Sequence, residues 1–313
     1  MQMFDADAVH RLLPYEMLIP ALKEMHEGEM PAGDGVYTDD PTGAGNMFVT
    51  LPGWLGGRLI VVKMVGVFPA NRDRDPPIGS VLGAVAAFDA ETGAPVLVAD
   101  GEAMTYRKTA AISGLGTALL APPEPKDLLV VGAGGLGPHV AMAHMAARPS
   151  IERVRIWNRT ASRAEALAAK LRAQGITAEA APDLDAAVAE ADVISCVTMS
   201  RAPLVKGALL KPGAHLDLVG AYLPEMRETD DEAMRRGAVY TCSDRGRDEV
   251  GELVLPVAAG ALRWEDIRGD AFGLVQGRDT GRMSDDQITV YKNIGGAHQD
   301  VFTTAILKQA AGL

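Results

Sequence analysis

The run Leu128-Leu129-Val130-Val131 leads directly into Gly132-Ala133-Gly134-Gly135-Leu136-Gly137, and the chain then continues into a helix-forming stretch through Ala147. A G-x-G-x-x-G between an apolar strand and a helix leaves few architectures open. Gly132 permits the tight turn, Gly134 lets backbone N–H groups approach a pyrophosphate, and Gly137 permits close packing of the helix. Removed from that setting, the same six residues would be a glycine-rich turn with no ligand. The rest of the chain supplies the setting. VRIWN (154–158), a helix over 161–173, DVISCV (192–197), HLDLVG (215–220), AVYTC (238–242) and ITVYKNIGG (288–296) alternate apolar strands with helical segments. That alternation predicts α/β architecture with a doubly wound parallel sheet covered on both faces.

The first 120 residues read differently. Val9, Leu12, Leu13, Met17, Leu18, Ala21, Leu22 and Met25 recur at helical spacing, with Pro14 splitting the stretch in two. GDGVYTDDPTGAG (33–45) is predicted to be a loop. Met47–Leu51, Leu59–Phe68, Val81–Phe88 and Pro95–Ala99 are short apolar runs separated by turns, including a hairpin tip at Glu91-Thr92-Gly93, and suggest an antiparallel sheet. Thr105–Leu120 is predicted as a helix closed by APPEP at 121–125. A domain boundary at 121/122 follows, with residues 122–287 as the nucleotide-binding domain and 288–313 returning to the first.

Composition narrows the partners. With 30 Lys+Arg against 41 Asp+Glu, the net charge of -11 lacks the global positive field that nucleic acids or anionic membranes require, so neither is expected as a partner. Cys196 and Cys242 are too few for a disulfide framework, and the histidines at 10, 26, 139, 144, 215 and 298 have no metal-binding spacing, so no metal site is predicted. No signal peptide or spanning segment is legible, and a cytoplasmic protein is expected. Trp54, Trp157 and Trp264 are scattered, as core or interface residues would be.

Three charged positions stand out. The second strand of the alternating region ends in Asn158-Arg159-Thr160, where a carboxylate would select the free ribose hydroxyl of NAD. A guanidinium with two short polar neighbours suits a 2′-phosphate instead, although Arg159 also fits as a solvated helix-start residue. Lys63 interrupts the apolar run LIVVKMVGVF. Such a lysine either faces solvent from a sheet edge or is buried, where its charge is costly unless paired or functional. Arg107-Lys108 opens an otherwise small and apolar helix, where cations are disfavoured unless they are solvated or an anion is near.

Six blocks in order, VVKMVGVFPAN (61–71), DGEAMTYRKTAAISGLG (100–116), VVGAGGLGPHVAMAH (130–144), VRIWNRT (154–160), PGAHLDLVGAYLPEMRETD (212–230) and SDDQITVYKNIGGAHQD (284–300), resemble the ornithine cyclodeaminase/mu-crystallin family. The resemblance implies a homodimer. It also implies an NAD(P)-binding Rossmann domain, an α+β substrate-binding and dimerisation domain built from both chain ends, and an active site in the cleft.

Chemistry in this family divides between cyclisation of ornithine with loss of ammonia and reduction of cyclic ketimine carboxylates. Cyclodeaminases carry a water-activating Asp after the turn that reads Gly220-Ala221-Tyr222 here, and a phenol with an ordinary pKa of about 10 cannot replace it near neutral pH. Asn-Arg-Thr at 158–160 likewise resembles the reductases. The resemblance is therefore greatest to the Δ1-pyrroline-2-carboxylate/Δ1-piperideine-2-carboxylate reductases. A cyclodeaminase and a noncatalytic NADPH-binding protein of mu-crystallin type are the alternatives.

The resemblance implies Lys63 and Lys108 as catalytic residues that hold the substrate carboxylate, with Tyr222 also at the substrate. It places Ser80, Thr109, Val197, Thr198, Asn293, Ile294 and Gly295 at the cofactor, beside the residues of the glycine turn (Gly132, Ala133, Gly134, Gly135, Leu136, Gly137) and of the strand end (Asn158, Arg159, Thr160). NADPH is the expected cofactor, with NADH weaker, and the partner is a small imino or 2-oxo acid. Two departures from the family pattern bear on that substrate. Lys108 stands where many relatives have Arg, and Met30-Pro31-Ala32-Gly33 lacks a second Arg, so point charges replace a bidentate fork.

Overall fold

The computed structural model describes residues 1–76 and 78–313. The chain divides into two compact units, Met1–Lys108 with Gly295–Leu313, and Thr109–Ile294.

The first unit contains β1 (Gln2–Phe4), α1 (Ala6–Leu12), α2 (Tyr15–His26), β2 (Ala32–Gly33), β3 (Val36–Asp39), β4 (Met47–Leu55), β5 (Leu59–Val67), β6 (Val81–Asp89), β7 (Pro95–Asp100), the start of α3 (Gly101–Leu120) and the C-terminal helix Ala297–Ala310. Asp5 caps α1 by accepting the Ala8 N–H at 2.8 Å, and Pro14 sits at the N-cap of α2. The strands form one sheet in the order β1-β7-β6-β5-β4-β2, with β3 also paired to β4. Strand β5 lies between β4 and β6 and follows the two-residue period of a half-covered sheet. Leu59, Val61, Lys63 and Val65 are buried, whereas Ile60, Val62 and Met64 are half-buried. The C-terminal helix packs so closely on β4 that a Cβ at Gly53 would strike Val301.

The second unit contains the rest of α3, β8 (Asp127–Val131), α4 (Gly137–Ala147), β9 (Arg153–Trp157), α5 (Ala161–Arg172), β10 (Ala178–Ala180), α6 (Leu184–Glu190), β11 (Val193–Cys196), β12 (His215–Leu218), α7 (Asp231–Arg236), β13 (Ala238–Thr241), α8 (Gly251–Ala258), α9 (Ala271–Val275) and β14 (Thr289–Lys292); the C-terminal helix is α10. Its seven strands are parallel and ordered β10-β9-β8-β11-β12-β14-β13. Chain direction across the sheet reverses between β8 and β11, the switch point at whose carboxyl edge doubly wound sheets bind ligands. Leu129, Val131, Ile194, Leu216, Leu218 and Val290 are fully buried within it. The predicted fold class is therefore the one observed.

Several local expectations are corrected. The junctions between units fall at 108/109 and 294/295, not at 121/122 and 287/288. The later turns of α3 already belong to the nucleotide-binding unit, where a Cβ on Gly116 would run into the ring of Tyr291. Helix α3 begins at Gly101 because Asp100 accepts the Ala103 N–H at 2.8 Å, so Lys108 lies two turns inside it and not at its start. The 33–45 segment is only partly loop. β3 pairs with β4 through Val36–Asp39, and the turn is confined to 40–46, where Asp40 accepts from Thr42 and Asn46. Trp54 is half exposed on the sheet's outer face, whereas Trp157 and Trp264 pack on the nucleotide-unit core. Among the described residues, no helix is long and apolar enough to cross a membrane.

Candidate active site

In the first unit, three charged side chains from three elements meet below the surface. Lys63 points from the covered face of β5, Lys108 from α3, and Asp300 from the first turn of α10. Their exposures are 6 %, 5 % and 1 %. Lys63 Nζ lies 3.6 Å and Lys108 Nζ 3.3 Å from Asp300 Oδ1, and Lys108 also reaches Oδ2 at 3.4 Å. One carboxylate thus serves two ammonium groups. With all three ionised the cluster holds one uncompensated positive charge, which in a poorly hydrated setting attracts an anion. Burial pulls Lys63 down from 10.5 to about 8, with the Lys108 charge acting in the same direction and Asp300 opposing both.

This geometry excludes the edge-lysine reading of Lys63 and the solvated-first-turn reading of Lys108. It also adds Asp300, which no local sequence pattern marks, as a buried anion shared by Lys63 and Lys108. Arg107 faces elsewhere. It donates to His10 Nδ1 at 2.9 Å and to the His10 carbonyl at 3.1 Å, and its guanidinium lies 4.5 Å above the ring of Tyr15. Ser80 is half-buried just before β6, and its carbonyl accepts the Phe68 N–H at 2.7 Å.

In the second unit, the turn after β8 has the features of a pyrophosphate cradle. Gly132 has φ +120°, and a Cβ there would lie 2.9 Å from the Val197 carbonyl oxygen. A Cβ on Gly137 would lie 2.9 Å from Leu167, so this glycine sets the approach of α4 to α5. Gly134 is different: nothing lies within 4 Å of its Cβ position, and Gly134 and Gly135 are exposed above the start of α4. Two of the glycines are therefore required by the fold, and the third leaves open room at a helix N-terminus, where an anion is favoured. These residues fit a dinucleotide.

Asn158 fastens this turn to the end of β9. Its Oδ1 accepts the Ala133 N–H at 3.2 Å, while its Nδ2 donates to the Thr160 carbonyl at 3.0 Å. Arg159 and Thr160 are exposed, and Arg159 makes no ion pair among the described residues. No carboxylate stands between Trp157 and Arg163.

Past β11, Thr198 donates its N–H and hydroxyl to Glu228 Oε1 at 2.6 and 2.8 Å. Glu228 Oε2 accepts the Gly220 N–H at 2.7 Å. Glu228 is fully buried, and nothing local in the sequence marks it. Asn293, after β14, donates to the Thr109 carbonyl at 2.9 Å and to Ser113 Oγ at 3.1 Å, so it ties its turn to α3. Ile294 N–H contacts Cys242 Sγ at 3.2 Å, and Gly295 takes φ +91°. Tyr222 is 51 % exposed on the turn after β12. The nearest carboxylate further along that turn, Glu225, pairs with Arg201 at 3.3 Å.

Comparison with known proteins fits this architecture. Residues 10–311 match the model of the ornithine cyclodeaminase/mu-crystallin family. The chain is 38% identical over 304 residues to the Δ(1)-pyrroline-2-carboxylate reductase of Paracoccus denitrificans, covering 96% of this chain and 94% of that one. Among solved structures, Thermococcus litoralis Δ(1)-pyrroline-2-carboxylate reductase in complex with NADH and L-proline superposes with a TM-score of 0.92 at 24% identity, over 99% of this chain and 97% of that one. The iminosuccinate reductase of Paracoccus denitrificans in complex with NAD+ superposes with a TM-score of 0.87 at 25% identity, over 100% and 96% of the two chains. The glycine turn, the buried lysine pair and a family match over nearly the whole chain agree: this protein belongs to the ornithine cyclodeaminase/mu-crystallin family.

Proposed function

We propose that this protein is an NAD(P)H-dependent reductase of cyclic ketimine carboxylates, converting Δ1-pyrroline-2-carboxylate to L-proline or the six-membered Δ1-piperideine-2-carboxylate to L-pipecolate. The observation that carries this reading is the buried Lys63–Asp300–Lys108 cluster, whose unbalanced positive charge suits a substrate carboxylate. The resemblance to the Paracoccus reductase over 96% of the chain points to the same chemistry. The cofactor supplies hydride to the ring carbon of the C=N bond. The protein's own share is charge and a proton. Lys108, held against Asp300, binds the carboxylate as a fixed cation. Lys63, drawn down to about 8, releases a proton near neutral pH and can supply the one the imine nitrogen needs. The balance is one hydride to carbon and one proton to nitrogen.

NADPH is the preferred cofactor in this reading, because Arg159 is exposed, and without an ion-pair partner among the described residues, where a 2′-phosphate would be recognised. Lyase chemistry is disfavoured by Tyr222, an exposed phenol on the turn where a cyclodeaminase needs a carboxylate. The protein acts as a homodimer through the outer face of the first sheet. Phe48, Trp54 and Leu82 are 49 %, 50 % and 40 % exposed there, beside half-buried Ile60, Val62 and Met64. A contiguous apolar face of this kind marks a protein interface.

The test is NADPH oxidation across a panel of cyclic imines and 2-oxo acids, with ammonia release from L-ornithine followed in parallel. Turnover confined to cyclic ketimine carboxylates supports the proposal. Ammonia release from ornithine, or tight NADPH binding with no turnover on any member, refutes it.

A further inference from the structure

Two buried carboxylates below the carboxyl edge of the parallel sheet are not used by the chemistry above. Glu228 follows β12, Glu252 lies in the first turn of α8, and both are fully buried. Each is saturated by donors. Glu228 accepts from the Thr198 N–H and hydroxyl and from the Gly220 N–H, while Glu252 accepts from the Glu228 N–H at 2.7 Å, the Thr229 N–H at 3.0 Å and the Thr229 hydroxyl at 2.6 Å. Both sets of contacts suit an ionised carboxylate, an acceptor at every site.

The backbone groups held by Glu228 matter because of where they lie. Thr198 leaves β11 and Gly220 leaves β12, so one carboxylate clamps two adjacent strand ends. The turns are packed without slack, since a Cβ on Gly220 would collide with the Thr198 backbone. Val197, next to Thr198, packs directly against Gly132, where a Cβ would lie 2.9 Å from the Val197 carbonyl oxygen. The clamp is therefore continuous with the glycine turn at the switch point.

We infer that Glu228 is a positioning residue for the dinucleotide, and that its ionised form holds the β11 and β12 exit turns in the conformation that binds the cofactor. This rests on the dinucleotide reading of the second unit, and the experiment below separates the two.

The charged and titratable groups about Glu228 are Glu252, Lys292 and Cys196, with Asp217 and Cys242 next to Lys292. Lys292, 1 % exposed, donates to the Leu218 and Val219 carbonyls at 3.3 Å each and supplies the cluster's cation. Cys196 and Cys242 are buried thiols, and the Cys196 thiol is pushed up by burial and by the same carboxylates. Asp217 turns away to accept from Ser195 Oγ at 2.7 Å, and Arg227 turns away to pair with Asp231. Burial and the neighbouring Glu252 charge push Glu228 up to about 7. A proton on either oxygen turns an acceptor into a donor opposite an N–H, so one strand end is released. Cofactor affinity should be nearly constant above pH 8, about halved at pH 7, and should fall about tenfold per pH unit well below it.

The experiment is NADH titration of the full-length protein by fluorescence between pH 5.5 and 8.5, NADH being chosen because it has no titrating 2′-phosphate. For the wild type, Kd is expected to rise about tenfold from pH 8 to pH 6. Glu228→Gln, which presents an amide N–H2 to these donors, should bind at least tenfold more weakly at pH 8 and show no dependence on pH. Glu252→Gln can keep its Thr229 contacts through the amide oxygen and gives up the acceptor for the Glu228 backbone N–H. The Glu228 side chain still holds Thr198 and Gly220 and loses its negative neighbour, so the acid limb should move to lower pH. The last comparison remains decisive if Glu228→Gln does not fold. A wild-type Kd equal at pH 8 and pH 6, a Glu252→Gln profile superposed on the wild type, or wild-type affinity in folded Glu228→Gln would overturn the inference. No NADH or NADPH binding by the wild type at any pH would refute the dinucleotide reading itself, and the inference with it.

Discussion

Replacing Lys63 with methionine separates what the buried cluster does for the fold from what it does for catalysis. The substitution keeps an unbranched stem of similar length in β5 and leaves Lys108 and Asp300 as a neutral pair 3.3 Å apart. Lys63 is pulled down from 10.5 to about 8, which measures how much the folded state disfavours its charge. A lysine lowered on folding destabilises the native state fully below pH 8, and the penalty is relieved as pH rises from 8 to 10.5. Lys63→Met should therefore be at least as stable as the wild type at pH 7, by up to roughly 3 kcal/mol, with the difference shrinking over that window. Catalysis should move the other way. A charge pair about 4 Å apart at an effective dielectric constant of about 20 is worth about 4 kcal/mol, and loss of half to all of it lowers kcat/KM by roughly 30- to 1,000-fold. Denaturant unfolding at pH 7 and pH 10 and initial rates of NADPH oxidation are the assays. A variant destabilised by several kcal/mol at pH 7 would show that the Lys63 charge stabilises the fold, and one with wild-type kcat/KM would show that it has no part in catalysis.

Asp300→Asn leaves two buried ammonium groups facing each other and should cost about 3–5 kcal/mol of stability, seen as a lowered denaturant midpoint; an unchanged midpoint would mean the ions are not coupled. Arg159→Ala should lower the NADPH:NADH ratio of kcat/KM by roughly ten- to a hundredfold through loss of a charge-assisted contact, and an unchanged ratio would leave Arg159 as a solvated helix-start residue. Gly134→Ala should keep its Tm, since nothing lies within 4 Å of the added methyl, while NADPH affinity falls at least tenfold; a large drop in Tm would give the open space a packing role instead of a binding one.

The parallel sheet was legible because its evidence is local. β8 and β11 are short, mostly apolar runs, β12 reads HLDL between turn signals, and the glycine turn announces the strand-to-helix crossing between β8 and α4. The antiparallel sheet was legible for the same reason, through the turn signals that separate its short apolar runs. What escaped depends on long-range pairing. β1 and β10 are three-residue strands that exist only because β7 and β9 present open edges to them. β3 lies in a stretch rich in turn residues, and pairing with β4 overrides that local tendency.

The site shows the same division. Lys63 is conspicuous because it breaks an apolar run, but Asp300, its partner 237 positions later, follows Gln299 in a mixed polar helix start. Burial in α10, not any local pattern, makes Asp300 important. The Glu228–Glu252 pair is similarly silent, since two glutamates 24 residues apart in acidic surroundings read as surface.

The most direct test of the central claim is the stoichiometry of a single reaction. Purified protein is incubated with NADPH and Δ1-pyrroline-2-carboxylate, and the L-proline formed is compared with the NADPH consumed. One L-proline is expected for each NADPH oxidised, with no D-proline and with the rate lost in Lys63→Met. NADPH that is bound but not consumed, in a sample that instead releases ammonia from L-ornithine, would contradict it.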